Sequence, residues 1–464
     1  MKILIVNWGN HRSKYTIGEA HKIFGDNLYI ATTKDIPEEI SSIFKQRNVI
    51  ITNPYDVMSL CEDVSSYCIK NNISFDIVTT FFELNVYHTA FLADYLGIKK
   101  RLPLKAALKT SSNKYIMRNF FLKHEIFQPK FILFSENDIY KIYSKIKKDK
   151  NKKYVLKPAI SAKSFGVRYI ESRITKTAFK KTIQESKSEV LFDDNDSEWR
   201  NYLNRNEMKF ILEEFIPGNV FSFDGIVKNI GNIKFIGNTE FETCEPPRLD
   251  QVGQTIPIAS LTKEQISICK RFVKKNIKLL ELQYCGFHCE LKFYKNKPCL
   301  IEIAGRLPGS SVLIEYQRIS KQNIFLEFFS IFNDKLLSHQ QIKKTPKYSS
   351  IAFYSSFLKS KRKEMVLEKL ITPNIKTNKK NVDVILCSYE GHSLYKTSGY
   401  IYNYFLLFDL VLRSKTMTSK ELNKIKNKLI KQMEFKISKP NIIKENNYFK
   451  TISERILKKL PWGN

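Results

Sequence analysis

The stretch from Tyr284 to Leu313, YCGFHCELKFYKNKPCLIEIAGRLPGSSVL, leaves the chain fewer structural choices than any other. Its apolar residues recur at every second position, the period of a half-buried strand. A first strand over Cys285–Tyr294 sets Cys285, Phe287, Cys289, Leu291 and Phe293 on one face and His288, Glu290 and Lys292 on the other. Lys295-Asn296-Lys297-Pro298 supplies a turn and Cys299–Ile303 a second strand, after which Gly305-Arg306-Leu307-Pro308-Gly309-Ser310 breaks the pattern. Antiparallel pairing can bring Glu290 and Glu302 onto one face. Adjacent carboxylates repel unless a cation lies between them, and all-oxygen ligation suits Mg²⁺, which also takes oxygens from substrate phosphates. Arg306 adds a planar fork of donors for a phosphoryl oxygen. Two acids and an arginine on a hairpin read as a phosphoryl-transfer set. The alternative is a solvated hairpin with Glu–Lys pairs.

A chain of 464 residues is long for one domain, and its 43% apolar content and 33 phenylalanines argue for packed cores rather than disorder. No run approaches the roughly 18 apolar residues of a membrane span. Met1–Trp8 carries no cleavage signature, so the expectation is a soluble cytoplasmic protein. The net charge of +31 admits a nucleic-acid or anionic-membrane partner. Its lysines are spread along the whole chain, however, without the aromatic interleaving of a base-stacking surface, so nucleic acid is disfavoured. The 8 cysteines form no C-x-x-C pair. Cys285 and Cys289 alternate away from His288, which favours buried free thiols over a zinc site.

Along the chain, residues 1–105 alternate strand and helix, with strands at Lys2–Val6, Asn27–Thr32, Val49–Thr52 and Phe75–Phe81. This pattern predicts a small parallel βαβ sheet, whose ligands would gather at the carboxyl ends, near Asn7–Asn10 and Glu83. No G-x-G-x-x-G follows a strand. Ser111-Ser112-Asn113 is placed to cap a helix running from Lys114 to about His124. A strand ending at Lys157 runs into the small-residue loop Ser161–Gly166, which would let backbone N–H groups approach phosphates; the alternative is an ordinary hairpin. Phe210–Ile216 reads as a strand leading into Pro217-Gly218. Glu240–Thr255 reads as irregular, and Arg248 within it is a candidate for a substrate carboxylate. Asp383–Cys387, Gly399–Asn403 and Phe405–Leu412 read as strands, and Thr418–Met433 as an amphipathic helix with Leu422, Ile425, Leu429 and Met433 inward.

Three ordered signals together resemble the ATP-grasp superfamily: Asn113-Lys114 with Lys157-Pro158, then Glu213-Glu214-Phe215-Ile216, then Glu290 with Glu302 and Arg306. The wording around His288 and Gly305 resembles its carboxylate–amine ligase branch, which includes amino-acid ligases. The resemblance implies an α/β chain with α+β lobes: a preceding βαβ domain over 1–105, nucleotide-binding and catalytic lobes over 106–335, and a C-terminal lobe and tail over 336–464. It also implies residue roles. Lys114 and Lys157 would hold ATP phosphates, and the loop containing Ser164 and Gly166 would close over them. Glu213 and Ile216 would present backbone groups to the adenine edge, and Glu214 belongs with them to the ATP-binding set. Val220 stands where the family often has a ribose-binding carboxylate, so Asp224 is the substitute. Glu290 and Glu302 would hold Mg²⁺, with Mn²⁺ as the alternative ion, and Arg306 would bind the transferring phosphoryl. Ala304 stands where an asparagine often supplies an oxygen to a second ion.

His288 shares a strand face with Glu290 and is a candidate catalytic residue, and Glu83 and Arg248 are candidates for substrate contacts. The expected reaction is ATP-dependent ligation of a small carboxylate to an amine through an acyl phosphate, releasing ADP and phosphate. The alternatives are a kinase or acid–thiol ligase on the same fold, or an inactive binding module. Oligomeric state, a homo-oligomer included, stays open.

Overall fold

The computed structural model describes residues 1–9, 13–162, 164–191, 208–244, 246, 249–333, 336, 346–359, 365–371, 382–388, 393–394 and 404–438. Arg248, Asn10 and Gly399–Asn403 lie outside them. The chain divides into two compact units: residues 1–238, 245–249 and 261–345 form the first, and 239–244, 250–260 and 346–464 the second. The segments expected as separate domains over 1–105 and 106–335 thus cluster in one unit, apart from the residues of 239–260 that belong to the second.

The first unit opens with β1 (Ile3–Val6), β2 (Leu28–Thr32), β3 (Val49–Ile51) and β4 (Ile77–Thr79), paired in parallel in the order β3-β2-β1-β4. Every residue of β1 is buried, because helices pack on the sheet and leave it no solvent face. Leu4, Val6, Tyr29, Leu60, Val64 and Leu92 share its core. Next come β5 (Phe131–Phe134), β6 (Lys153–Pro158), β7 (Arg168–Glu171) and β8 (Phe210–Glu214), an antiparallel sheet ordered β5-β8-β6-β7. The helices Ile139–Lys148 and Lys176–Leu191 contribute Ile142, Ile146, Phe179 and Ile183 to the core beneath it.

Further strands are β9 (Val220–Asn229), β10 (Asn232–Thr243), β11 (Gln251–Ile256), β12 (Cys285–Tyr294) and β13 (Lys297–Ala304). In the first unit their order is β13-β12-β9-β10. The β12–β13 hairpin forms where the alternation places it, with Glu290 opposite Glu302 in register. The apolar face, from Cys285 through Leu291, is buried, so the polar face is the one left to do chemistry.

In the second unit the end of β10, then β11, β14 (Ser350–Lys359), β18 (Tyr404–Ser414) and β16 (Val382–Ser388) pair in that order. A separate three-stranded sheet has β15 (Met365–Ile371) between β17 (Ser393–Leu394) and β19 (Glu434–Ser438). The helix Ser419–Lys431 packs Leu422, Ile425 and Leu429 on Ala352, Leu410 and Leu412.

One expectation changes here. Glu240–Thr255 is not irregular throughout: Glu240 and Glu242 lie in β10, and Glu240 pairs with Thr255 of β11. The glutamates break the apolar pattern, yet each has a partner that cannot be seen locally. Glu240 Oε2 accepts from Ala259 N (3.0 Å) and Ser260 N (2.9 Å), and Glu242 forms an ion pair with Lys426. Lys426, on the helix over 419–431, is fully buried.

Candidate active site

The site is assembled by three local structures of the first unit. Asn113 caps the helix Lys114–Lys123, its Oδ1 accepting from Tyr115 N and Ile116 N at 3.2 Å each. Lys114 N donates to Ala159 O at 2.9 Å, which docks the helix start on the chain just beyond β6. The Lys114 ammonium is thereby buried at that strand end, where Nζ donates to Ser161 O at 2.7 Å and lies 3.1 Å from Glu302 Oε1. Burial works against this charge, but Glu302 and Glu83 outweigh it and raise the Lys114 pKa.

Glu302 meets a second carboxyl group. Glu83, on the turn after β4, forms an ion pair with Arg306 and is hydrogen-bonded to Glu302. Burial, assisted by the Glu302 charge, lifts Glu83 above the usual carboxylate range against the pull of Arg306. Glu302 goes the other way: burial opposes its charge, yet Lys114 and Lys157 hold it down at about 2. The pair therefore divides its labour, with Glu302 ionised and Glu83 the more readily protonated partner.

Glu290, across the hairpin, lies 3.4 Å from His288 Nε2. His288 Nδ1 is 2.5 Å from Asp224 Oδ1, and Asp224, which is wholly buried, also accepts from Ser222 Oγ (2.8 Å) and the Tyr316 hydroxyl (2.5 Å). Burial would neutralise His288, but Asp224 first and Glu290 second reverse this and raise its pKa to about 10. It is an imidazolium bridging two carboxylates.

Below these groups is a buried ion cluster. Glu213 receives Lys157 Nζ at 2.7 Å and Arg118 Nε at 2.7 Å, and the Arg118 terminal nitrogens donate to Leu300 O (3.2 Å) and Ile301 O (2.8 Å) of β13. Burial favours neutral Glu213, but Arg118 and Lys157 override it and hold its pKa down. Burial lowers the Lys157 pKa; Glu213 opposes this and Arg118 adds to it. Arg118 is fully buried and ties β8 to the hairpin that bears Glu302.

Lysines buried beside opposed carboxylates, at the carboxyl end of a strand and along a hairpin, make a surface suited to polyphosphate. Residues 150–313 match the family model described as an ATP-grasp domain.

The chain carries an ATP-grasp domain.

Among solved structures, an L-amino acid ligase from Bacillus licheniformis is similar to the chain with a TM-score of 0.68 and 15% identity, over 95% of this chain and 99% of that one. Phosphoribosylglycinamide synthetase from Anaerococcus prevotii gives a TM-score of 0.57 and 15% identity over 94% and 98% of the two chains. N5-carboxyaminoimidazole ribonucleotide synthetase from Thermotoga maritima likewise gives 0.57 and 15% over 94% and 99%. At these identities the likeness is one of fold. A search of curated proteins by sequence found no match.

Of the residues singled out from the sequence, Lys114, Glu83, Glu302 and Arg306 converge on one cluster. Glu290 and His288 stand beside it and Lys157 beneath. The Glu213 side chain is the counter-ion of Arg118 and Lys157, and its backbone lies in β8, which is laddered on both sides. Asp224 does not reach a ribose, because all of its exposure is lost to Ser222, His288 and Tyr316. His288 is held between Asp224 and Glu290. The Ile216 carbonyl accepts from Lys292 Nζ at 2.7 Å, and burial lowers that lysine to about 8. Glu214 is exposed, with its N–H donated to Lys130 O at 2.8 Å.

In the 161–166 loop, Ser164 adopts a left-handed φ of 58°, and Gly166 one of 74°. A Cβ at Gly166 would lie 2.7 Å from Ser186 Oγ and 2.8 Å from Pro158 Cγ, so close packing on the helix Lys176–Leu191 already demands this glycine. Arg118 and Tyr316 escaped the sequence reading. Arg118 follows Lys114 by one helical turn on the same face, which is the only local signal either of them carried.

Among the described residues no group of three or more His, Cys, Asp or Glu side chains could hold a metal. The protein offers Glu290 and Glu302, a pair of oxygen donors of the kind that completes a Mg²⁺ shell with phosphate oxygens. The donor set fits that ion and fits poorly to one that needs a full protein cage.

Proposed function

We propose that the chain is an ATP-dependent carboxylate–amine ligase. A substrate carboxylate oxygen attacks the γ-phosphorus of ATP; the new O–P bond forms as the bond to the β-phosphate oxygen breaks, giving an acyl phosphate and ADP. An amine nitrogen then attacks the acyl carbon, phosphate leaves, and the amine loses a proton to yield the amide. One observation carries the reading: Glu290 and Glu302 stand in register with a buried lysine against the second of them. Such chemistry asks the protein for positioning and charge neutralisation rather than a covalent nucleophile.

Lys114 and Lys157 supply fixed positive charge for the phosphates, and the Arg306 fork stabilises the charge on the transferring group. Mg²⁺ or Mn²⁺, when held by Glu290 and Glu302, would neutralise phosphate oxygens. Glu83 and His288 keep these carboxylates oriented. Beside the cluster lies a cavity of about 210 Å³, whose walls include Tyr55, Leu84, Tyr87, His88, Ile116 and Ile160. Leu84, Asn113 and Ile160 of its lining directly adjoin Glu83, Lys114 and Ser161 in sequence. It is an uncharged recess suited to an amino-acid side chain, which agrees with the L-amino acid ligase likeness. Cys61, Cys68, Cys244, Cys269, Cys285, Cys289 and Cys299 are free, which suits a reducing cytoplasm. No described helix is long and apolar enough to cross a membrane.

The test is mass spectrometry of products after incubation with ATP, Mg²⁺ and pools of amino acids and small carboxylic acids. Amide product with stoichiometric ADP and free phosphate is the expected result. Phosphate retained on the product marks a kinase, and a thioester an acid–thiol ligase. No nucleotide turnover, with salt-sensitive retention of oligonucleotide, marks a binding module.

A further inference from the structure

Behind Arg306 lies a second cavity of about 30 Å³, whose walls include Thr80, Thr89, Arg101, Tyr284, Gly286 and Arg306. Three polar atoms of these wall residues are buried and bonded to no protein group: Thr89 Oγ1, Arg101 Nε and Arg306 Nε. In both arginines the terminal nitrogens are already engaged. Arg101 Nη1 donates to Ile98 O at 2.7 Å and Nη2 pairs with Asp94. Arg306 Nη1 donates to Leu307 O at 2.8 Å and Nη2 pairs with Glu83. Each guanidinium thus leaves its buried Nε without a partner, and both residues line the same small cavity. A buried donor without a partner is destabilising, and more so when it is charged.

The volume exceeds the roughly 10–15 Å³ that a water needs, and the walls carry polar groups, whereas a dry cavity is lined by carbon. We propose that this cavity is a water site through which Thr89 and Arg101 position Arg306. An ordered water accepts from Arg101 Nε and Arg306 Nε and donates to Thr89 Oγ1. The two donors fill both lone pairs of the water and the hydroxyl takes one of its protons. A halide would leave the hydroxyl's acceptor role unused, and each arginine already faces a carboxyl group, so no surplus charge calls for an anion.

The functional consequence rests on the phosphoryl-transfer reading of Arg306. When Nη2 turns from Glu83 to a phosphoryl oxygen, the guanidinium keeps only Nη1 and Nε to fix its plane. The water held by Thr89 and Arg101 is then half of that support. Thr89 and Arg101 are positioning residues and touch no reacting atom.

Thr89→Val keeps the shape of the side chain and removes the hydroxyl; Thr89→Ser keeps the hydroxyl. Thr89→Val is expected to lower kcat for substrate-dependent ADP release roughly 10-fold, the usual effect of losing a supporting hydrogen bond, with KM for ATP within about twofold. Thr89→Ser is expected to restore kcat. Thermal melts of both variants separate this from loss of fold. Independently of activity, a crystal structure at a resolution that shows waters should place one within hydrogen-bond distance of both Nε atoms. A dry cavity, or a Thr89→Val enzyme with wild-type kcat, overturns the proposal. A wild-type protein without substrate-dependent ADP release overturns the ligase reading and leaves the crystallographic test to decide the water site.

Discussion

Glu290 and Glu302 lie directly opposite each other across β12 and β13, and each is held by a different cation: Lys114 Nζ stands 3.1 Å from Glu302, and His288 Nε2 stands 3.4 Å from Glu290. The two cations differ in what they leave free. Lys114 is the buried end of a capped helix, whereas His288 is itself pinned by Asp224. Both carboxylates keep some exposure, 17% and 22% of their side chains, so an incoming ligand can still reach them.

Glu302→Gln keeps the shape and removes the charge that Lys114 and a divalent ion would share. Substrate-dependent ADP release should fall by roughly 10²–10³-fold or more. Coupled-enzyme measurement of ADP at saturating Mg²⁺ checks it. Turnover equal to wild type would remove Glu302 from the reaction.

His288 should be an imidazolium well above neutrality. Its folded pKa, about 10, lies above the ordinary 6.5, so the stability it contributes is complete below pH 6.5 and is lost as pH rises through about 10. Glu302 has the opposite sign: its folded value of about 2 lies below 4.5, so its contribution is present above pH 4.5 and lost as pH falls through about 2. NMR of 15N-labelled histidine should find the His288 ring doubly protonated at pH 8. In Asp224→Asn the ring should titrate at lower pH. A wild-type ring that titrates near 6.5 would refute the clamp.

Arg118→Met removes one of the two cations on buried Glu213 and frees the carbonyls of Leu300 and Ile301. Breaking a buried pair from one side costs about 3–5 kcal/mol. Denaturant unfolding should show that loss. Lys157→Met is expected to lose affinity for ATP as well, measured by calorimetric titration, because Lys157 is the cation nearer the proposed phosphate site.

Gly166→Ala places a Cβ 2.7 Å from Ser186 Oγ and 2.8 Å from the Ser186 carbonyl oxygen, on a backbone with φ of 74°. Overpacking and a disfavoured φ should together destabilise the protein by about 1–3 kcal/mol. Thermal unfolding checks it. Ser186→Ala in the same chain should recover only part of the loss, since the backbone oxygen stays.

Leu84→Trp and Ile116→Trp should fill the 210 Å³ recess. The expected change is in which amino acids support ADP release, with KM for ATP held within about twofold. Identical amino-acid preference in both variants would move the substrate elsewhere.

By itself the sequence determined the local elements. The period-two alternation from Cys285 to Tyr294 placed β12 within its observed bounds and predicted the facing of Glu290 and Glu302, because a strand's side-chain faces follow from covalent geometry alone. Asn113 marked the start of a helix for an equally local reason. Tertiary structure decided what these residues meet. Arg118 reads as an ordinary helical arginine, and only folding brings it to Glu213, which lies far along the chain. Asp224 reads as a strand carboxylate open to a sugar, until Tyr316 and His288 close over it. Glu240 and Glu242 read as loop residues because their partners come from distant segments. Short-range periodicity records the backbone's choices, but the energy of a buried charge is set by whichever opposite charge the fold delivers to it, and that pairing leaves no local trace.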